Sequence, residues 1–341
     1  VIPDLIRLQG FRSVYSLVSK YVRDPRMRVV LSFHPLLIGG NPFVASSFYC
    51  LISHLERHWG VHFAMGGTGQ LAVGLAKLIE GQGNTVRCNA EVQSILVKKG
   101  KATGVRLASG EEIAADVVVS NADVAWTYRN LLADVPRKRW TDGKVERARY
   151  SMGLFVWYFG TRRQYPDVQH HTILLGPRYK ELLKDIFDHK VLADDFSLYL
   201  HRPTATDPSL APPGCDTFYV LSPVPNLLSG IDWREQAEPY RQLLAKYLSE
   251  SILPGLEEEV VTSHVATPQD FRDRLLSYRG AGFSLEPVLL QSAWFRPHNK
   301  SEEVDGLYIV GAGTHPGAGL PGVLSSARTL DTLVPDATAY S

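Results

Sequence analysis

Near the C-terminus, four apolar residues, Leu307-Tyr308-Ile309-Val310, run into Gly311-Ala312-Gly313-Thr314-His315-Pro316-Gly317-Ala318-Gly319-Leu320-Pro321-Gly322-Val323. A short unbroken apolar run bounded by turn residues reads as a buried strand. The next thirteen residues hold five glycines and two prolines. Glycine lets a backbone pass within contact distance of something flat or charged. Pro321 suits the first turn of a helix, and Ser325-Ser326-Ala327-Arg328 continues it. Strand, glycine-rich loop and helix N-terminus therefore follow in order. The free N–H groups of such a terminus favour negative charge. The alternative, an ordinary turn between strand and helix, does not call for so much glycine and proline.

Upstream, Leu5, Leu8, Phe11, Tyr15 and Val18 fall at helical spacing within 3–22. Further helices are expected over 26–33 and 45–58, with Gly39-Gly40-Asn41-Pro42 as a turn between them. Thr68 is placed to cap a helix through 79. The pattern then changes to strands at 85–97, 102–107 and 112–119. The last of these leads through Ser120-Asn121-Ala122-Asp123 into a helix ending at Leu132. From Ser151 the chain is mostly extended, with strands at 154–159, 196–200 and 217–222 and helices at 178–188 and 234–253. This alternation places the chain in the α/β (α+β) class.

Composition excludes some roles. Lys and Arg total 36 against 35 Asp and Glu, so the basic surplus that nucleic-acid binding requires is missing. Cys50, Cys88 and Cys215 show no C-x-x-C spacing and read as free thiols of a reducing compartment. No apolar run approaches the roughly 18 residues that span a bilayer. His54, His58 and His62 recur at i, i+4 and i+8, but Gly60 interrupts them and no acidic fourth ligand stands at a useful spacing, so no metal is expected. His170-His171 reads as a surface pair.

Several blocks carry a resemblance: Ser32-Phe33-His34-Pro35-Leu36-Leu37-Ile38-Gly39-Gly40-Asn41-Pro42-Phe43, Met65-Gly66-Gly67-Thr68-Gly69, Ser120-Asn121-Ala122-Asp123 and Asp195-Phe196-Ser197-Leu198-Tyr199-Leu200. Phe283-Ser284-Leu285-Glu286-Pro287, Gln291-Ser292-Ala293-Trp294-Phe295-Arg296-Pro297-His298-Asn299 and the glycine-rich loop complete the set. With these blocks the chain resembles the C-terminal two-thirds of a bacterial-type phytoene desaturase. That family comprises flavin-dependent carotenoid enzymes of the amine-oxidase-like superfamily. It opens with a strand, a G-x-G-x-x-G turn and a helix that hold the ADP half of FAD. Nothing here matches that opening, and the chain starts at Val1. The expectation is that the N-terminal dinucleotide-binding segment is lacking.

The resemblance implies an incomplete FAD-binding Rossmann-like domain interleaved with a mixed-sheet substrate domain and a helical membrane-facing cap. The cap would cover 1–62, the FAD-domain pieces 66–132 and 297–341, and the substrate domain 149–296. FAD would be non-covalent. Its contacts would come from Val92 on the adenine side, from Asn121, Ala122 and Asp123 at the nucleotide end, and from Gly311, Ala312, Gly313, Thr314, His315, Gly319, Pro321, Gly322 and Val323 at the ring. Amide N–H groups of 319–323 would face the edge that gains negative charge on reduction. Glu286 and His315 are the candidates for proton removal. A structural role, Glu286 paired with an arginine such as Arg296 and His315 positioning the loop, is the alternative. Leu154, Phe155, Trp157, Phe159, Phe283, Leu285 and Trp294 are candidates for an apolar substrate tunnel or for plain core.

The implied activity is stepwise desaturation of phytoene toward lycopene or neurosporene, with quinone or dioxygen as electron acceptor. A carotenoid isomerase, a desaturase of another polyene and a non-catalytic lipid-binding remnant are the rival readings. Because phytoene resides in the bilayer, the resemblance implies a cytoplasmic protein bound peripherally to the membrane. Val29-Val30-Leu31 and Pro35-Leu36-Leu37-Ile38 would meet lipid, and Arg7, Arg12, Lys20, Arg23, Arg26 and Arg28 its anionic headgroups.

Overall fold

A computed structural model of the chain describes residues 6, 7 and 9–336. Among the described residues the strands are β1 (Val92–Lys98), β2 (Lys101–Leu107), β3 (Glu112–Ala114), β4 (Val118–Ser120), β5 (Gly153–Thr161), β6 (His171–Leu174), β7 (Leu198–His201), β8 (Asp216–Val224), β9 (Val260–Ala266) and β10 (Leu307–Ile309). The chain divides into two compact units, one of 1–59, 89–152 and 272–341, the other of 60–88 and 153–271.

In the first unit, β1, β2 and β3 form an antiparallel sheet. The strand expected from residue 85 begins only at Val92, because 85–91 is polar and mostly exposed. β4 and β10 form a separate parallel pair, Leu307 beside Val118, Tyr308 beside Val119 and Ile309 beside Ser120. Ile95, Ala102, Val118, Val124, Tyr128, Leu307 and Ile309 make one buried cluster that joins both sheets. Asp123 caps the helix after β4 by accepting from the N–H groups of Ala125 (2.9 Å) and Trp126 (3.1 Å). That helix widens into a π turn over Thr127–Leu131.

The N-terminal helices are shorter than the sequence suggested. Ser13 caps Val14–Tyr21, and Asp24 caps Pro25–Val30. The third begins as a 3-10 turn, Ser47–Cys50, and continues as Leu51–Trp59. Leu5 and Leu8, part of the expected first helix, lie outside the described residues. Of the apolar segment expected at a membrane, Leu37 is exposed, but Ile38 is buried at 8% and stands 3.3 Å from where a Cβ on Gly319 would be. The 3-10 turn His34–Ile38 directs it inward.

The second unit is built on an antiparallel sheet in the order β6-β7-β8-β5-β9. β6 and β9 were not foreseen. Both lie at sheet edges and neither has a fully buried side chain, β6 being mostly half-buried and β9 mostly exposed, so neither alternates between buried and exposed positions. On one face Phe155, Trp157, Phe159, Phe218 and Val220 pack with Trp233, Tyr240, Leu244 and Leu248 of the long helix Trp233–Ser251. The helix Gly69–Gly81 also belongs to this unit, and Thr68 makes no side-chain cap bond to it.

Candidate functional site

The two parallel strands of the first unit end level with each other. Beyond them the Val310 N–H donates to Ser120 O (3.0 Å) and Asn121 Nδ2 donates to Val310 O (3.3 Å). The turns at Asn121 and Gly311 therefore leave the sheet side by side at its carboxyl end, where open α/β sheets bind ligands. Gly311 has φ +114°, and a Cβ there would sit 2.8 Å from Asn121 Nδ2. A Cβ on Gly313 would sit 2.6 Å from Val124 Cγ1. Glycine is needed at both positions for the two turns to touch.

The loop is fastened from beneath. Gly311 N–H donates to Ser326 Oγ (2.8 Å), and that hydroxyl donates to Val323 O (2.6 Å), tying the helix Leu320–Arg328 to the strand end. Thr314, fully buried, donates to Gly311 O (3.0 Å). Asn299 Nδ2 reaches His315 O (3.0 Å) and Ile309 O (3.2 Å). Arg296, buried at 1%, donates to Ala312 O (2.7 Å) and Leu285 O (2.9 Å). Burial lowers its pKa, and the Tyr49 hydroxyl opposes that shift.

Gly319, at φ 93°, precedes the helix and offers no side-chain cap. Pro321 has no N–H to donate, and among the described residues the N–H groups of Leu320 and Gly322 find no backbone acceptor. Val323 N–H is already used on Gly319 O (2.9 Å). The terminus thus presents two free donors and the positive end of a helix dipole. His315 Nδ1 is buried without a partner.

Of the residues expected from the sequence, Gly311 to Val323 and Asn121 to Asp123 come together at this crevice. Val92 opens β1 and packs against the cluster that contains Val124 and Ile309. Burial raises the Asp123 carboxyl above its ordinary pKa, against the pull of the Trp126 N–H. Glu286 is buried but does not meet Arg296. Arg149 takes it instead, Nε to Oε2 at 2.7 Å and Nη2 to Oε1 at 3.2 Å. The reason is that Arg296 is already turned into the loop carbonyls. Arg296, Asn299 and Ser326 were not singled out as site residues. Their signal is polar character at positions that prove buried, which only contacts distant in sequence reveal.

The second unit carries a row of rings on the sheet face opposite the long helix. The register places His171, His201, Tyr219, Tyr158 and His264 side by side across all five strands. His201 stacks on Tyr219 at 4.5 Å, and Tyr219 meets Tyr158 at 5.7 Å. Burial, and then the charges of His170 and His171, push His201 down to about 4, so it is neutral near pH 7. Phe155, Trp157 and Phe159, offered as tunnel candidates, are core under the helix. Strand parity puts Tyr158 on the other face.

The profile of flavin containing amine oxidoreductases matches residues 3–330. The chain belongs to this family. It is 56% identical over 342 residues to a neurosporene-forming phytoene desaturase of Cereibacter sphaeroides, covering 99% of this chain and 66% of that relative. It is 49% identical to a lycopene-forming phytoene desaturase of Pseudescherichia vulneris, covering 97% of this chain and 68% of the relative. The chain thus spans about two thirds of the length of these relatives. Among solved structures, an oxidoreductase from Methanosarcina mazei matches with TM-score 0.66 at 21% identity, over 97% of this chain and 71% of that one. Putrescine oxidase matches with TM-score 0.59 at 15% identity, over 97% and 69%. These two share the fold.

The cofactor of this family is FAD. The crevice residues fit it. Two free helix-terminal donors, an unpartnered His315 Nδ1 and a buried guanidinium under the loop suit a group that becomes anionic, and Gly311 and Gly313 leave no side chain in its way. No helix of the described residues is long and apolar enough to cross a membrane.

Proposed function

We propose that the protein to which this chain belongs is an FAD-dependent phytoene desaturase that forms neurosporene or lycopene. The observation that carries the reading is 56% identity to a neurosporene-forming enzyme over 99% of the chain, in a molecule whose two strand-end turns meet as an anion-favouring crevice. FAD, when bound, supplies the acceptor for hydride removed from a saturated carbon of the polyene.

The chain's own residues position and polarise. Leu320 and Gly322 N–H groups would hold the flavin and favour the negative charge it gains on reduction, while Arg296 and Asn299 hold the loop so that these donors stay aligned. Asn121 and Val92 would contact the nucleotide part of FAD, and Asp123 caps the helix that follows Asn121. Glu286, paired with Arg149, shapes the loop rather than accepting a proton, and His315, with a free Nδ1, remains the candidate proton acceptor among the expected pair. The ring row of the second unit offers dispersion contact along a polyene.

Tyr21, Met27, Val30, Leu31 and Leu37, exposed beside Lys20, Arg23 and Arg26, form the membrane-facing surface. The electron acceptor is a quinone or dioxygen.

The test is incubation of the longest protein carrying this chain with FAD and phytoene in lipid vesicles. Chromatography should show products with added double bonds. Isomerised phytoene alone, or none consumed by flavin-loaded protein, would overturn the assignment.

A further inference from the structure

The second unit holds a histidine cluster at one end of the ring row, with a chemistry that dispersion contact with a polyene does not call on. His171 on β6 and His201 on β7 are direct cross-strand partners, and His170 precedes His171. Ring centroids lie 4.3 Å apart for His170 and His171, 4.7 Å for His170 and His201 and 5.3 Å for His171 and His201. One ring nitrogen from each residue lies within 4.8 Å of the other two. The sequence suggested only a surface pair, because His201 is thirty residues away and joins it through strand pairing.

We propose that His170, His171 and His201 form a binding site for a divalent zinc ion. The donor set consists of three imidazoles with no carboxylate or thiolate in the group, which suits borderline transition metals and not magnesium or calcium. Tetrahedral zinc with bonds of about 2.0–2.1 Å sets its ligand nitrogens roughly 3.3 Å apart. No pair of these nitrogens is more than 4.8 Å apart, so closing onto the ion needs at most about 1.5 Å, which side-chain rotation supplies with the strand pairing unchanged.

The surroundings resemble a supported site. Each Nδ1 has a hydroxyl beside it: Thr206 Oγ1 at 2.5 Å from His170, and Tyr199 OH at 2.6 Å from His171 and 3.1 Å from His201. Hydroxyls so placed fix ring tautomer and orientation, as the outer contacts of metal-binding histidines do. His170 Nε2 is buried with no partner, and a metal bond satisfies it. Phe63 packs edge-on to His170 at 4.7 Å and Tyr219 stacks on His201, restricting both rings. Three protein ligands leave the fourth position to water. The bound ion would clamp edge strand β6 onto β7.

His54 and His58 are the competing site. Their rings stack at 5.9 Å on the helix Leu51–Trp59 and offer two nitrogens at helical spacing. The experiment is a zinc titration of the 341-residue chain against a chromogenic chelator, with wild type, His171→Ala, His170→Gln and the double variant His54→Ala/His58→Ala. Cobalt absorption serves as the geometric readout, and thermal midpoint as the check on folding. We expect one zinc per chain, tetrahedral cobalt bands and a zinc-dependent rise in midpoint. All three should persist in the His54/His58 variant. His171→Ala and His170→Gln should each bind at least tenfold more weakly while unfolding at the wild-type metal-free midpoint. No stoichiometric binding, or binding that survives both cluster variants and vanishes in the His54/His58 variant, overturns the proposal.

Discussion

Asn299→Asp changes one atom of a buried side chain and should be among the most damaging conservative substitutions in the first unit. Asn299 is 3% exposed. Its Nδ2 donates to His315 O (3.0 Å) and Ile309 O (3.2 Å), with Thr314 Oγ1 and Ser326 O both at 3.4 Å. An amide has two N–H groups, so the two shorter contacts account for both. Aspartate removes them. Losing two neutral hydrogen bonds and leaving their carbonyls buried costs about 2–4 kcal/mol once the carboxyl is ionised, and less while it keeps its single O–H. A second loss depends on pH. Burial among oxygens raises the folded-state pKa of the new carboxyl above the unfolded value of about 3.9. A raised folded pKa means this second loss is absent below about pH 4, and stability falls further as pH climbs toward the folded value. The slope is about 1.36 kcal/mol per pH unit, so between pH 5 and 8 the additional loss has a ceiling of about 4 kcal/mol. Asn299→Ala isolates the first loss, because it removes the donors and adds no charge. Thermal midpoints of the three proteins across pH 5–8 decide the matter. Both variants should melt below wild type throughout, and the gap between Asp and Ala should widen with pH. Parallel curves for the two variants would refute the claim that position 299 faces a ring of acceptors.

Gly313→Ala should lower the thermal midpoint by the equivalent of about 1–3 kcal/mol, since its Cβ falls 2.6 Å from Val124 Cγ1. Adding Val124→Ala should recover part of that loss in a double-mutant cycle, and strict additivity would deny the contact. Glu286→Gln, which breaks the pair with Arg149, should reduce stability by about 1–3 kcal/mol yet change the turnover of the loaded enzyme less than tenfold. A thousandfold drop in turnover would return Glu286 to the role of proton acceptor. Met27→Ser, Leu31→Ser and Leu37→Ser together should reduce co-sedimentation with anionic vesicles at unchanged midpoint, whereas Ile38→Ser should instead lower the midpoint; vesicle binding that ignores the triple change would exclude this surface.

The glycine-rich segment announced its strand, loop and helix because each carries a strong local signal: an unbroken apolar run, positive-φ residues, and proline in a first turn. The turn after β4 was legible for the same reason, Asp123 being a standard capping residue. What joins the two turns was not, since the parallel pairing of 118–120 with 307–309 spans most of the chain. β5 shows how a strand can be read correctly while its two faces stay undistinguished. All but Tyr158 of its nine residues are buried, so no alternation distinguishes the helix-packed face from the ring-lined one. β8 does alternate, and from its Phe218 and Tyr219 the faces of β5 follow by register. The His170, His171 and His201 group needed the same knowledge.

Charge placement around the crevice follows one rule. The two carboxylates in its neighbourhood are committed elsewhere: Asp123 to the N–H groups of its own helix, Glu286 to Arg149. The Arg296 guanidinium, by contrast, is held by the Ala312 and Leu285 carbonyl oxygens and by the Tyr49 hydroxyl, none of them a carboxylate, so its charge is fixed in place without an acidic partner. A helix N-terminus adds roughly half an elementary charge of the same sign. A buried cation without a counter-ion is costly to the fold, and burial accordingly lowers its pKa. That cost becomes intelligible if an anion forms beside it during turnover, because fixed donors that need not reorganise stabilise developing charge best where water is excluded. The same arrangement that makes the isolated crevice electrostatically unsatisfied is what would make bound flavin easier to reduce.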